Sequence, residues 1–427
     1  MFQLQNAQSM IGVVAVIGLC WALSERRGVF PWKLALGAVA AQAVLVAILF
    51  GLPASRSVLV GAGQAVDGLA NATNAGVSFV FGFLAGGNGQ PYDVKNPGAL
   101  FVFAFHVLPV ILVICALSAL LWHWRILKWL TKAFGLLFEK TMGLRGAPAL
   151  ATAATIFMGQ VEGPIFIRGY LTSLSRSELF LLLTVGMSCV SGSTVVAYAT
   201  ILHDVLPNAA AHVLTASLIS APAGVLLARI LVPRDPANEA PQALDLADLK
   251  TYESSIDALI KGTTDGLQIA LNVGATLIVF VALIAMVNGL LGLAPAVGGA
   301  PLSVERVLGL IFSPLAWSMG IPWKEAPAAG GLLGVKLVLT EFTAFANLSH
   351  LAPEAISDRT RVIMTYALCG FANIASVGIN VAGYSVLVPE RRIEVMGMVW
   401  KAMLGGFLAT CMTAAVVGAL PAALYAH

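Results

Sequence analysis

Apolar runs of about 20 residues, the length that spans a bilayer as a helix, recur along this chain with short polar stretches between them. They cover 6–24, 32–52, 99–122, 178–202, 209–233, 264–292, 361–388 and 394–424, and predict eight spanning helices. Two further apolar stretches, 146–173 and 325–352, are broken before they can cross. Gly159, Gly163 and Pro164 interrupt the first, around Gln160 and Glu162. Gly330, Gly331 and Gly334 interrupt the second, followed by Lys336, Thr340 and Glu341. Half-segments of about 10–14 residues are the length of re-entrant elements, and irregular backbone survives at membrane depth only inside protein or along a wet cavity.

The same order of elements occurs twice. An amphipathic segment (124–143), a broken hairpin (146–173), a span with a polar patch (178–202) and a plain span (209–233) are followed later by their counterparts at 303–320, 325–352, 361–388 and 394–424. The polar patches are Ser188-Cys-Val-Ser-Gly-Ser-Thr194 and Cys369-Gly-Phe-Ala-Asn-Ile-Ala-Ser376. The predicted fold is therefore an all-α membrane protein with eight transmembrane helices, two opposed re-entrant hairpins and interfacial helices, arranged as an inverted repeat. Its expected divisions are an amino-terminal scaffold (1–122), a first repeat (123–233), a linker with the sixth span (234–302) and a second repeat (303–427). The linker, Pro233 to Lys261, is proline-containing and acidic and reads as a cytoplasmic connector ending in a short helix.

Composition agrees: 59% of residues are hydrophobic and 11% charged, against about 25% charged in a soluble domain. The formal net charge of +3 is too small to call for a nucleic-acid partner; the partner is the lipid bilayer. Arg26, Arg27 and Lys33, then Arg125, Lys128, Lys132, Lys140 and Arg145, then Arg229, Arg234, Lys250 and Lys261, and finally Arg391 and Arg392 mark one set of loops, while 202–211 and 291–303 hold no Lys or Arg. Positive loops face the cytoplasm, so both termini are expected in the periplasm of a bacterial inner membrane. The first hairpin then opens from the cytoplasm and the second from outside. The amino terminus lacks the basic front of a cleaved leader.

Two carboxylates in apolar surroundings carry the functional signal. Placing such a group at membrane depth costs about 3 kcal/mol or more, and it normally faces a polar cavity or substrate path. Glu162 and Glu341 fall at corresponding breaks of the two repeats, which is where discontinuous elements of secondary transporters converge on a binding site. The five cysteines all lie in apolar segments without ligand spacing, and the six histidines are scattered, so no disulfide framework, metal centre or cofactor is expected. No Walker-type loop supports ATP drive, and nothing shows the spacing of an enzyme's acid and base. His106 reads as a core histidine, Lys336 as a structural charge partner and Arg168 as an interface anchor.

Several strings resemble the concentrative nucleoside transporters from about Phe101 onward: Phe103-Ala-Phe-His-Val-Leu-Pro109, Gly159-Gln-Val-Glu-Gly-Pro164, Leu267-Gln-Ile-Ala-Leu-Asn-Val-Gly274, Glu341-Phe342 and Ala367-Leu-Cys-Gly-Phe-Ala-Asn373. The resemblance implies a cation-coupled nucleoside symporter, a homotrimer, in which Gln160 and Glu162 contact the nucleobase and Glu341, Asn373 and Ser376 hold the ribose hydroxyls. Ile269 and Phe371 would supply apolar contacts. Val161 stands where the family has a hydroxyl residue, and Thr194 replaces an apolar one, so both bear on base preference. The family's sodium positions correspond to Thr155, Met158, Cys189 and Val190. A thiol is a poor ligand for a hard cation, which makes the proton the favoured coupling ion and sodium the alternative. Expected function is thus secondary active nucleoside import by alternating access. Transport of modified nucleosides or nucleobases, and passive conduction, are the other readings.

Overall fold

The computed structural model describes residues 4–85, 102–144, 146–165, 167–234, 252–295, 301–352 and 354–421. Arg145, Lys250 and most of the acidic linker, 235–251, lie outside the described residues. Helices account for the described structure and no strand occurs among these residues.

Three helices open the chain: α1 (Leu4–Ala22), α2 (Trp32–Gly51) and α3 (Pro53–Phe81). The last was not foreseen, because Gln64, Asp67, Asn71 and Asn74 dilute its apolar character. A single-turn α4 (Phe103–His106) and α5 (Leu108–His123) form the third predicted span. The first repeat then runs α6 (Ile126–Met142), α7 (Ala147–Met158), α8 (Glu162–Ile165), α9 (Arg176–Ser188), α10 (Gly192–Leu202) and α11 (Ala209–Leu231). After α12 (Ser255–Leu291), the second repeat runs α13 (Val304–Ser318), α14 (Ala326–Val338), α15 (Glu341–His350), α16 (Asp358–Leu368), α17 (Ile374–Leu387) and α18 (Arg392–Ala419).

Among the described residues six helices are long and apolar enough to cross a membrane: α1, α2, the α4–α5 segment, α11, α12 and the segment ending in α18. The fourth and seventh predicted spans differ from expectation, since neither is one helix. Each stops in its polar patch and restarts after a few extended residues, giving the half-helix pairs α9/α10 and α16/α17. Ser191 and Asn373 are the residues that restart them, both in extended backbone at a helix N-cap. The expected short helix at the end of the linker is also different: Ser254 caps the first turn of α12, accepting from the Asp257 N–H at 3.1 Å, and the helix continues unbroken through the sixth span.

Burial separates centre from periphery. In the most apolar part of α11, 89% of residues are buried, and 83% in that of α18, against 6% in α12. The two central helices meet at a hydroxyl pair, Ser220 Oγ donating to Thr413 Oγ1 at 3.4 Å. Around them pack α1, α2, α9 and α16, while α12 packs chiefly along α5. Gly262 and Gly266, four apart, let the α12 backbone approach Leu112, Cys115 and Ala116; a Cβ at Gly262 would lie 2.7 Å from the Cys115 carbonyl. Small residues at this spacing are how helices pack closely in lipid. At one end, Glu25 accepts from Arg176 at 3.0 Å and Lys401 at 3.4 Å, tying the α1–α2 loop to α9 and α18. Burial alone would raise the Glu25 carboxyl, but these two cations hold it below the ordinary 4.5.

Candidate functional site

Four chain breaks converge at the centre of the molecule: Gly159–Val161 between α7 and α8, Cys189–Ser191 between α9 and α10, Leu339–Thr340 between α14 and α15, and Cys369–Asn373 between α16 and α17. Each break follows from local sequence. Gly159 holds φ +118°, a conformation that side chains with a Cβ rarely adopt, and a Cβ there would lie 2.7 Å from the Glu162 Oε2 atom. Thr340 caps α15 with its hydroxyl on the Thr343 N–H at 3.3 Å. Asn373 caps α17 through its side-chain oxygen on the Ser376 N–H at 2.8 Å. Side-chain oxygens of this kind satisfy donors that a helix start leaves open. The two broken spans touch directly, the Phe371 N–H donating to the Cys189 carbonyl at 3.3 Å.

A single hydrogen-bond chain links three of these breaks and reaches α10. The Glu341 carboxylate, 3% exposed, accepts from the Tyr198 hydroxyl at 2.8 Å and from Asn373 Nδ2 at 2.6 Å. Through its cap Asn373 holds Ser376, whose hydroxyl accepts from Gln160 Nε2 at 3.3 Å. Gln160 Oε1 accepts from Asn380 Nδ2 at 2.9 Å, and Asn380 also donates to the Ser376 carbonyl at 2.9 Å. Gln160, Glu341, Asn373 and Ser376, named from the sequence, are thus brought into one connected cluster.

The remaining candidates surround that cluster. Glu162 is half-buried, its carboxylate lying over Gly159, which Ser191 also approaches. Val161 packs against Gly383 of α17. Thr194 is buried and turned onto its own helix start, donating to the Ser191 carbonyl at 2.8 Å. Ile269 and Phe371 are half-buried, the first on α12 and the second in the α16–α17 break.

The residues at the expected cation positions also come together, since Phe157 and Gly159 at the end of α7 abut Gly192 and Ser191. Two of their oxygens make hydrogen bonds within the protein. Thr155 donates its hydroxyl to the Ala151 carbonyl at 2.8 Å, and the Val190 carbonyl accepts from Ser217 at 3.1 Å. Cys189 offers sulfur, 3.8 Å from the Ser188 hydroxyl. Three of these four positions offer oxygen, and Cys189 offers a thiol, a poor ligand for a hard cation.

Two site residues were missed in the sequence: Tyr198 and Asn380. Each stands seven positions after the residue that restarts its broken span, Ser191 or Asn373, and each reaches the hairpin of the other repeat. An asparagine inside an apolar helix is itself a signal, and Asn380 could have been found that way. Tyr198 could not, because an isolated tyrosine in an apolar run reads equally well as packing; it does stack on Phe345, with ring centroids 4.5 Å apart.

Broken half-helices around a buried polar centre, duplicated in sequence order, define a secondary transporter. Models of the Na+ dependent nucleoside transporter match residues 11–84 (N-terminus) and 212–418 (C-terminus), with a nucleoside recognition model between them at 104–205. The chain is 33% identical to nucleoside permease NupC of Helicobacter pylori, over 96% of both proteins. It is 29% identical to human sodium/nucleoside cotransporter 1, over 96% of this chain and 63% of the human protein. The solved structure of CNTnw in an inward-facing substrate-bound state superposes with a TM-score of 0.88 at 35% identity, covering 97% of this chain and 98% of that one. The chain belongs to the concentrative nucleoside transporter family, an integral membrane transporter and not an enzyme.

Proposed function

We propose that this protein imports nucleosides across a bacterial inner membrane by proton symport with alternating access. The observation that carries this reading is the chain from Tyr198 through Glu341, Asn373 and Ser376 to Gln160, which links both hairpins and both broken spans at one buried point. The ribose hydroxyls bind Glu341, Asn373 and Ser376: a carboxylate accepts from sugar O–H groups, and the amide supplies a donor and an acceptor. The base faces Gln160, Val161, Glu162 and Thr194, with Ile269 and Phe371 closing the apolar sides.

The Cys189 thiol among Thr155, Met158 and Val190 supports the proton over sodium, with the first-hairpin carboxylate, Glu162, as its carrier. The recurrence of elements supports the division into scaffold (1–122), two repeats (123–233 and 303–427) and connecting unit (234–302), with the repeats inverted and both termini periplasmic. A homotrimer would cover part of the exposed face of α12. In proteoliposomes, Glu341→Gln and Asn373→Ala are each expected to lower uridine uptake about a hundredfold, because each strands buried polar groups against the sugar, while protein yield in the membrane is unchanged. Normal uptake by both variants would remove the ribose site.

A further inference from the structure

The side chain of Lys336 is completely buried; among described residues it hydrogen-bonds no carboxylate, and the Glu341 carboxylate acts on it only through electrostatic attraction. Its ammonium donates to the Ala367 carbonyl at 2.7 Å and to Thr410 Oγ1 at 2.7 Å, and stands 5.5 Å from the centre of the Phe407 ring. Ala367 is in the last turn of α16, which ends at Leu368. A half-helix that stops inside the protein presents open carbonyls and the negative end of its dipole. Such ends in transporters receive cations. Here the cation is covalently attached to the hairpin.

The first repeat shows what is unusual in this. Its half-helix α9 ends at Ser188 in the corresponding place, and the Val190 carbonyl is met by Ser217 of α11 at 3.1 Å. Ser217 and Ser220 on α11 answer to Thr410 and Thr413 on α18, three apart in each helix, with Ser220 and Thr413 bonded to one another at 3.4 Å. The two surroundings share the hydroxyl pairs of α11 and α18, but the carbonyls met and the hairpin side chains differ. Three residues before the end-cap of α14 is Lys336; three before the end-cap of α7 is the apolar Ile156.

We propose that Lys336 is a tethered cation that takes, in the second repeat, the place of a coupling ion, so that only the first repeat draws a cation from solution and one ion moves with each nucleoside. This rests on the symport reading above. It makes Lys336 a positioning residue: its charge pins the hairpin carrying Glu341, five residues further on, to the end of α16 and to α18.

The test uses the purified full-length protein in proteoliposomes. Lys336→Met keeps the volume without the charge, and uridine uptake is expected to fall about tenfold or more. Lys336→Ala leaves a cavity at the end of α16; its uptake is expected to fall as far and to recover when ethylammonium is supplied on both sides, but not with ethanol. Uptake by Lys336→Met within about twofold of the unaltered protein, or no recovery of Lys336→Ala with the amine, would overturn the assignment. If the variants fail to fold, the unaltered protein decides: its rate should depend on the coupling ion with a Hill coefficient of one, and two would overturn the proposal. Absence of uridine uptake by the unaltered protein would count against the symport reading alone. Lys336 is then judged by whether ethylammonium, and not ethanol, raises the melting temperature of Lys336→Ala above its amine-free value.

Discussion

Glu341 has two partners that arrive from different repeats, Tyr198 from the first and Asn373 from the second. That crossing accounts for what the sequence could and could not show at this scale. A carboxylate in an apolar run is expensive whatever its neighbours, so Glu162 and Glu341 are visible as isolated residues. Asn373 and Ser376 become visible only beside them in a short polar string. Tyr198 is invisible because its role depends on a residue 143 positions away. A neutral hydrogen-bond donor of this kind contributes about 1 kcal/mol, more when its partner is charged. Tyr198→Phe is therefore expected to raise the KM for uridine about five- to tenfold by loosening Glu341, with little change for a competitor lacking the 2′ and 3′ hydroxyls. Inhibition constants for the two ligand types check it; equal weakening of both would mean that Tyr198 serves the fold and not the sugar.

At the scale of elements, span positions follow from hydropathy, because transfer of apolar side chains into lipid dominates where each helix lies. The hairpins are also legible, since glycine and proline interrupt runs too short to cross. The breaks within the fourth and seventh spans are not. A patch of Ser, Gly, Cys and Asn is equally compatible with a continuous helix packed closely on a neighbour, and only the meeting of Phe371 with Cys189 shows that the backbone has opened. The first hairpin's turn depends on Gly159 at φ +118°. Gly159→Ala introduces a left-handed cost of about 1–2 kcal/mol at the point where Glu162 Oε2 lies. It is expected to raise the KM for nucleoside about tenfold, with a smaller effect at the second hairpin's turn, where Leu339 has φ −98° and alanine is tolerated. Comparable KM values for Gly159→Ala and Leu339→Ala would show that the positive φ is not what sets the base-side residues.

For the whole molecule, the central feature is that two copies of one helical plan are joined at their weakest points. The most buried helices, α11 and α18, meet at Ser220 and Thr413, and the broken spans around them hold each other's hairpins through Tyr198 and Asn380. Such cross-holding ties each hairpin to the broken span of the other half of the chain. The outlying pair α5 and α12 packs mainly on each other. Much of this plan could be read as a recurrence of element order; the joining of the copies could not, because it is made by contacts of long sequence separation. The most direct test of the account is uridine accumulation in proteoliposomes holding the full-length protein, with proton and sodium gradients imposed separately. An inward proton gradient without sodium is predicted to drive uridine above its external concentration, and Glu341→Gln is predicted to abolish the accumulation. Accumulation driven by sodium alone, or equal accumulation by Glu341→Gln, would contradict it.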